Sequence, residues 1–145
     1  LHHRVKNNLQ VIYSLINLQK RRLVSPELHQ SLSMVQNRIK TMSLVHQNLH
    51  ENDNFKEVNL ASYIKTISDY LKSLYFREEK EINIQLEIEN SIELSMDKAI
   101  TIGLLINEIL SNSLKYAFKG KSEGCISIDV QKLHTGIQMK IKGVR

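Results

Sequence analysis

Residues 1–23 read LHHRVKNNLQVIYSLINLQKRRL, and the periodicity of this stretch decides the first part of the fold. On a helix of 3.6 residues per turn, Leu1, Val5, Leu9, Ile12, Leu15, Ile16 and Leu23 fall on one side, with Val11 and Leu18 at its margin. His3, Lys6, Gln10, Ser14 and Asn17 occupy the opposite arc, while His2 lies at the edge of the apolar stripe. The pattern predicts an amphipathic helix whose accessible imidazole is His3, with Lys6 and Asn7 one turn further on. Next, Val24-Ser25-Pro26-Glu27 reads as a turn and a helix start: Ser25 as N-cap, Pro26 at the first helical position, Glu27 adding charge to the first turn. The second helix carries Leu28, Leu32, Val35, Ile39, Met42, Val45 and Leu49 in mostly four- and three-residue steps, a coiled-coil-like seam. A short link between two such helices makes an antiparallel hairpin. Alone, it would leave broad apolar faces wet, so two copies are expected to close a four-helix bundle; the competing arrangement packs the hairpin on the rest of the chain.

Beyond the hairpin, the polar run His50–Asn54 reads as a linker, dividing the chain into 1–52 and 53–145. Phe55–Val58 is expected as a short strand, and Asn59 as the cap of a third helix bearing Leu60, Ile64, Ile67, Leu71 and Leu74. Ile82, Ile84, Leu86 and Ile88 alternate with polar residues, as do Ile126, Ile128 and Val130, and then Ile137, Met139 and Ile141. His134-Thr135-Gly136 joins the last two runs as a hairpin turn. The expected class is α+β: an N-terminal helical hairpin followed by two layers with mostly antiparallel strands. There is no internal repeat and no low-complexity segment.

Between these strands, Met96–Phe118 reads as one nearly all-apolar helix: Ala99, Ile100, Ile102, Leu105, Ile106, Ile109, Leu110, Leu114 and Ala117. Its exception is a narrow polar arc of Glu108, Asn112, Lys115 and Lys119, with Ser111 at the margin. An unpaired carboxylate is costly to bury, so this arc must face water, a partner or a ligand. A carboxylate, a carboxamide oxygen and an ammonium on one face suit magnesium and phosphate oxygens. A solvated stripe would look the same.

Two runs carry a resemblance. His3-Arg4-Val5-Lys6-Asn7-Asn8-Leu9-Gln10 resembles the phospho-acceptor motif of the sensor histidine kinases of two-component systems, in the subfamily whose box reads H-R-x-K-N-N. The larger subfamily carries an acid directly after its acceptor histidine; here that position is Arg4, so a mechanism using that acid as base does not transfer. Asn107-Glu108-Ile109-Leu110-Ser111-Asn112-Ser113-Leu114-Lys115-Tyr116-Ala117-Phe118 is similar to the asparagine box of the same family's ATPase fold, with Leu94–Ile100 as its lead-in. The resemblance implies a partial two-layer α/β sandwich of that type, with ATP and Mg2+ as cofactors. It implies that His3 is phosphorylated, Asn112 holds magnesium, Lys115 and Tyr116 contact phosphates, and Glu108 polarises the attacking group or its water. It also implies a homodimer and a response-regulator receiver domain as partners. In the family, the strand represented here by Gln138–Ile141 runs into a glycine-containing box whose aspartate reads the adenine amine. This chain instead reads Lys140-Ile141-Lys142-Gly143-Val144-Arg145. Weak ATP binding by this polypeptide is therefore expected, and a phosphotransfer module with a vestigial nucleotide site is the alternative reading.

Composition adds bounds. With 145 residues, 41% of them hydrophobic, the chain can form one ordinary domain or two small ones. The net charge of +5 is dispersed among fifteen acids, and its densest cluster, Lys20-Arg21-Arg22, sits at an expected helix end, where cations suit the dipole. No nucleic-acid partner is expected. A single cysteine, Cys125, excludes an intrachain disulfide and fits a reducing compartment. No apolar run approaches a membrane span, so a cytoplasmic segment without membrane contact is expected. The chain starts at Leu1, in mid-helix by pattern, and is expected to be a piece of a longer protein.

Overall fold

The computed structural model describes residues 2–48, 57–75, 81–118 and 120–144, without the side chains of residues 2, 3, 47, 48 and 144. Helix α1 (His2–Arg22) and helix α2 (Pro26–Leu44) form the expected hairpin. Pro26 takes the first helical position of α2, and Ser25 caps it, its Oγ accepting from the Leu28 N–H at 3.5 Å. Leu1, Leu49, the His50–Asn54 linker, Phe55 and Lys119 lie outside the described residues.

A polar bridge crosses the hairpin beside the half-buried Leu9 and Ile16 of the apolar stripe. Gln36 of α2 is only 3% exposed, so both ends of its amide need partners. Its Nε2 donates to the Tyr13 carbonyl at 3.2 Å and to Asn17 Oδ1 at 3.1 Å, and its Oε1 accepts from Lys20 Nζ at 2.9 Å. The apolar faces of the hairpin are only partly covered, as expected for one copy. Leu9, Tyr13, Ile16 and Lys20 are half-buried, while Val5, Val11, Ile12, Leu15 and Leu18 are exposed on the outer side with Leu28, Met34 and Val35.

After a 3-10 turn (Val45–Asn48), the chain enters a two-layer unit. Its elements are strand β1 (Glu57–Asn59), helix α3 (Leu60–Tyr75), strands β2 (Glu81–Ile88) and β3 (Glu93–Ser95), helix α4 (Met96–Asn112), and strands β4 (Glu123–Leu133) and β5 (Gly136–Val144). Asn59 caps α3 as expected, its Oδ1 accepting from the Ser62 N–H at 3.0 Å. Leu60, Ile64, Ile67 and Leu71 are buried, but Leu74 is exposed and Tyr63 takes the central place.

The main sheet has the order β2-β4-β5. The expected β4–β5 hairpin is antiparallel, pairing Ile128 with Ile141, whereas β2 pairs with β4 in parallel, Ile84 beside Ile126. This sheet is therefore mixed, while β1 and β3 pair antiparallel in a second, two-stranded sheet, so the described strands are mostly antiparallel, as expected. A parallel neighbour needs a crossover connection, and α4 supplies it. Ile82, Ile84, Ile126, Ile128 and Val130 turn one face of the sheet into the core. That core also takes in Leu44 and Val45 from the end of the helical hairpin. Among the described residues, no helix is long and apolar enough to cross a membrane.

One carboxylate ties the end of β2 to β4. Glu89 accepts from the Lys132 N–H and from the Ser91 hydroxyl, each at 2.9 Å. The Lys132 backbone bond, then that hydroxyl, hold its carboxyl below the usual carboxylate range. A lowered folded-state value contributes stability above the unfolded value and loses it as pH falls through the folded value. Glu89→Gln should therefore flatten the acid limb of a melting-temperature profile taken from neutral pH downward. An unchanged limb would show that the tie does not titrate with folding.

Candidate functional site

The expected helix over Met96–Phe118 breaks at Asn112 into a π-helical turn, Ser113–Ala117. Across it the core positions Leu110, Leu114 and Phe118 recur at every fourth residue and all stay buried. An α-helix rotates that spacing by about 40° per step, and a wider turn keeps all three pointing inward. Phe118 is fully buried against Gly124, where an added Cβ would stand 2.2 Å from its ring.

The outer side of this segment carries the polar set. Glu108 is partly exposed, Asn112 exposed, Lys115 half-buried in the π turn, and Tyr116 exposed. Asn107 and Ser111, by contrast, point inward and are buried, so Ser111 is not at the polar margin. Helices α3 and α4 run side by side in the same direction, since Gly103 lies against Tyr63 and Lys115 Nζ stands 5.6 Å over the Tyr75 ring.

Helix α2 meets this face, a contact the sequence pattern did not reveal. Arg38 Nε donates to Glu108 Oε1 at 2.7 Å, and this bond and the carboxylate's charge raise the guanidinium's pKa further. The neighbouring Asn37 donates to the Tyr75 hydroxyl at 3.2 Å and accepts from the Tyr70 hydroxyl at 3.3 Å. Tyr63 Oη, passing Gly103, donates to the Thr41 carbonyl at 2.8 Å. Burial raises the pKa of both the Tyr63 and Tyr70 phenols. In sequence, Gln36-Asn37-Arg38 is a run of three polar residues between the seam positions Val35 and Ile39, and nothing local distinguishes it from a solvated helix side.

His3 is not brought to this face. Its backbone belongs to α1, and its side chain lies outside the described residues. The Gln36 bridge sets Tyr13 level with the turn of α2 that bears Arg38. His3 precedes Tyr13 by ten residues, so it stands roughly 15 Å further along the helix axis.

The donor set fits a phosphate-bound cation better than a protein-held one. Among the described residues, no group of three or more His, Cys, Asp or Glu side chains could hold a metal. Magnesium commonly takes few protein ligands together with phosphate oxygens. A separate cavity of about 570 Å³, lined by Ile92, Leu94, Ile102 and Ile137 among others, opens beside the first turns of α4. It also borders Thr101, roughly 16 Å along the helix from Asn112, and is not part of the polar face.

Residues 1–75 match the histidine kinase family model HisKA_2. The chain belongs to the histidine kinase family. Among curated relatives, the sensor histidine kinase PdtaS of Mycolicibacterium smegmatis is 32% identical over 133 residues, covering 91% of this chain and 26% of that protein. Blue-light-activated histidine kinase 2 of Erythrobacter litoralis is 24% identical over 143 residues, covering 96% and 40%. The chain thus spans about a quarter of the length of the first of these relatives. A solved histidine kinase domain from a blue-light-activated kinase of Erythrobacter litoralis superposes with a TM-score of 0.64 at 17% identity, covering 94% of this chain and 71% of that one. That likeness establishes a shared α+β fold for this histidine kinase chain.

Proposed function

We propose that the chain is part of the core of a two-component histidine kinase, in which 1–52 form the dimerisation and phosphotransfer hairpin and 53–145 a partial ATP-binding unit. The observation that carries this reading is the face of Glu108, Asn112 and Lys115, presented beside the hairpin of a histidine kinase family member. The neutral imidazole of His3 attacks the γ-phosphorus of ATP: an N–P bond forms, the bond to the β-phosphate oxygen breaks, and ADP leaves. Lys115 and Tyr116 hold phosphate oxygens, and Glu108 polarises the attacking group or its water. Asn112 would hold magnesium, which when bound supplies charge neutralisation. The phosphoryl group then passes to an aspartate of a response-regulator receiver domain. Because His3 stands away from the polar face, transfer requires that the two-layer unit shift along the hairpin or act on a second copy.

A second reading, a dimeric phosphotransfer module that does not use ATP, is favoured by the C-terminal run Lys140–Arg145, which lacks the adenine-reading aspartate. Labelled ATP with Mg2+ and, separately, a phosphorylated receiver domain distinguish the two. Acid-labile label from ATP supports the kinase. Label from the receiver alone supports the module, and none from either source removes both.

The homodimer is part of the same proposal. Val5, Ile12, Leu15 and Leu18 form an apolar outer face that a second hairpin would cover. Ile12→Glu with Leu15→Glu should convert a sedimenting dimer to monomer with helicity intact, because both positions are exposed in the single chain. A wild-type chain that sediments as a monomer at micromolar concentration would remove the bundle argument.

A further inference from the structure

We infer that Arg38 is a phosphate-binding residue of the nucleotide site, contributed by the helical hairpin rather than by the nucleotide-binding layer. The inference rests on the reading of Glu108, Asn112 and Lys115 given above. Arg38 meets Glu108 one helical turn before Asn112, and the two side chains are 49% and 39% exposed, so a solute can reach the pair.

The way the guanidinium is held matters most. Its Nε donates to Glu108 Oε1, and among the described residues its two Nη groups have no hydrogen-bond partner. Glu108 thus fixes the plane of the guanidinium while leaving free the edge whose paired N–H groups match two phosphate oxygens. A half-exposed pair of this kind adds little to stability. The docking of α2 rests instead on the buried Thr41, Leu44 and Val45 and on the Tyr63–Thr41 bond. These contacts and the Gln36 bridge lie on either side of Arg38, so its backbone is positioned whether or not the ion pair forms.

The next residue extends the same argument. Asn37 holds the Tyr75 hydroxyl, and the Tyr75 ring lies under Lys115. Two adjacent α2 residues therefore bracket the polar face, one at its Glu108 end and one at its Lys115 end. Arg38 and Lys115 together outnumber the one carboxylate, which leaves the face net cationic and suited to a polyphosphate. A phosphate chain bound there would join the hairpin to the two-layer unit, coupling nucleotide occupancy to the position of α2.

The test is an NMR titration of the 145-residue chain with tripolyphosphate in the absence of magnesium, repeated with adenosine. Arg38→Gln should weaken tripolyphosphate binding roughly five- to thirty-fold, as expected for losing a charged hydrogen bond at a partly exposed site. Arg38→Lys should lose only part of that, since it keeps the charge but not the fork. Adenosine binding and the melting temperature should stay as in the wild type. Unchanged tripolyphosphate affinity in Arg38→Gln would overturn the inference. Tighter binding would overturn it too, making Arg38 a restraint that competes for Glu108. An equal loss for adenosine would trace the effect to a disturbed fold and also overturn it. If the wild type shows no shift in α4 at millimolar tripolyphosphate, the reading of the polar face itself fails, and the inference fails with it.

Discussion

His3→Ala should reduce acid-labile phosphoryl labelling to background, whether the donor is ATP or a phosphorylated receiver domain, because in the proposed reaction the label is a bond to that residue's own ring nitrogen. His2→Ala should leave the label in place. The distinction is motivated by helical position: His3 sits in the polar arc of α1 beside Lys6, and His2 at the edge of the apolar stripe. Both residues fall in the first turn of α1, and alanine is the best helix former, so neither variant should unfold the hairpin. Mass-spectrometric mapping under base-stable conditions checks the outcome directly. Full labelling of His3→Ala together with loss in His2→Ala would reverse the assignment.

Gly103→Ala should destabilise the fold by about 2–4 kcal/mol, against the usual gain for replacing a helical glycine by alanine, about 1 kcal/mol. The added Cβ would stand 2.5 Å from Tyr63 Oη and 2.6 Å from its Cε1. Tyr63 is fully buried and cannot swing aside without giving up its bond to the Thr41 carbonyl, the link from α3 to the hairpin. The cost therefore combines overpacking with the loss of a buried hydrogen bond. Against a typical stability of roughly 5–15 kcal/mol, this should lower the urea midpoint clearly. Gly136→Ala is the control: nothing lies within 4 Å of its would-be Cβ, and its backbone requires no glycine. A Gly103→Ala chain as stable as the wild type would mean that Tyr63 is not wedged between α4 and the hairpin.

The candidate site was partly legible before the fold. Glu108, Asn112 and Lys115 stand out because a carboxylate and an ammonium interrupt an otherwise apolar helix, and such groups cannot be buried without partners. Arg38 was not legible, because an arginine on a polar helix side looks the same whether it faces solvent or a carboxylate seventy residues further along the chain. The Gln36 bridge was likewise hidden, because periodicity identifies an apolar stripe, exposed here at Ile12 and Leu15 as expected for a lone hairpin, but not a buried amide whose partners lie on the other helix.

From the sequence alone came what depends on neighbours three or four residues apart or alternate positions along a strand: the α1–α2 hairpin with its Ser25-Pro26 start, the Asn59 cap, the alternating strands and the apolar helix with its polar arc. These are local because helix and strand periods set which side chains share a face. The tertiary structure alone decided the parallel β2–β4 pairing, the π turn after Asn112, the Tyr63 wedge and the meeting of Arg38 with Glu108. Each joins or depends on residues distant in sequence, and it is close packing around Tyr63 and Phe118, rather than any local preference, that selects those partners.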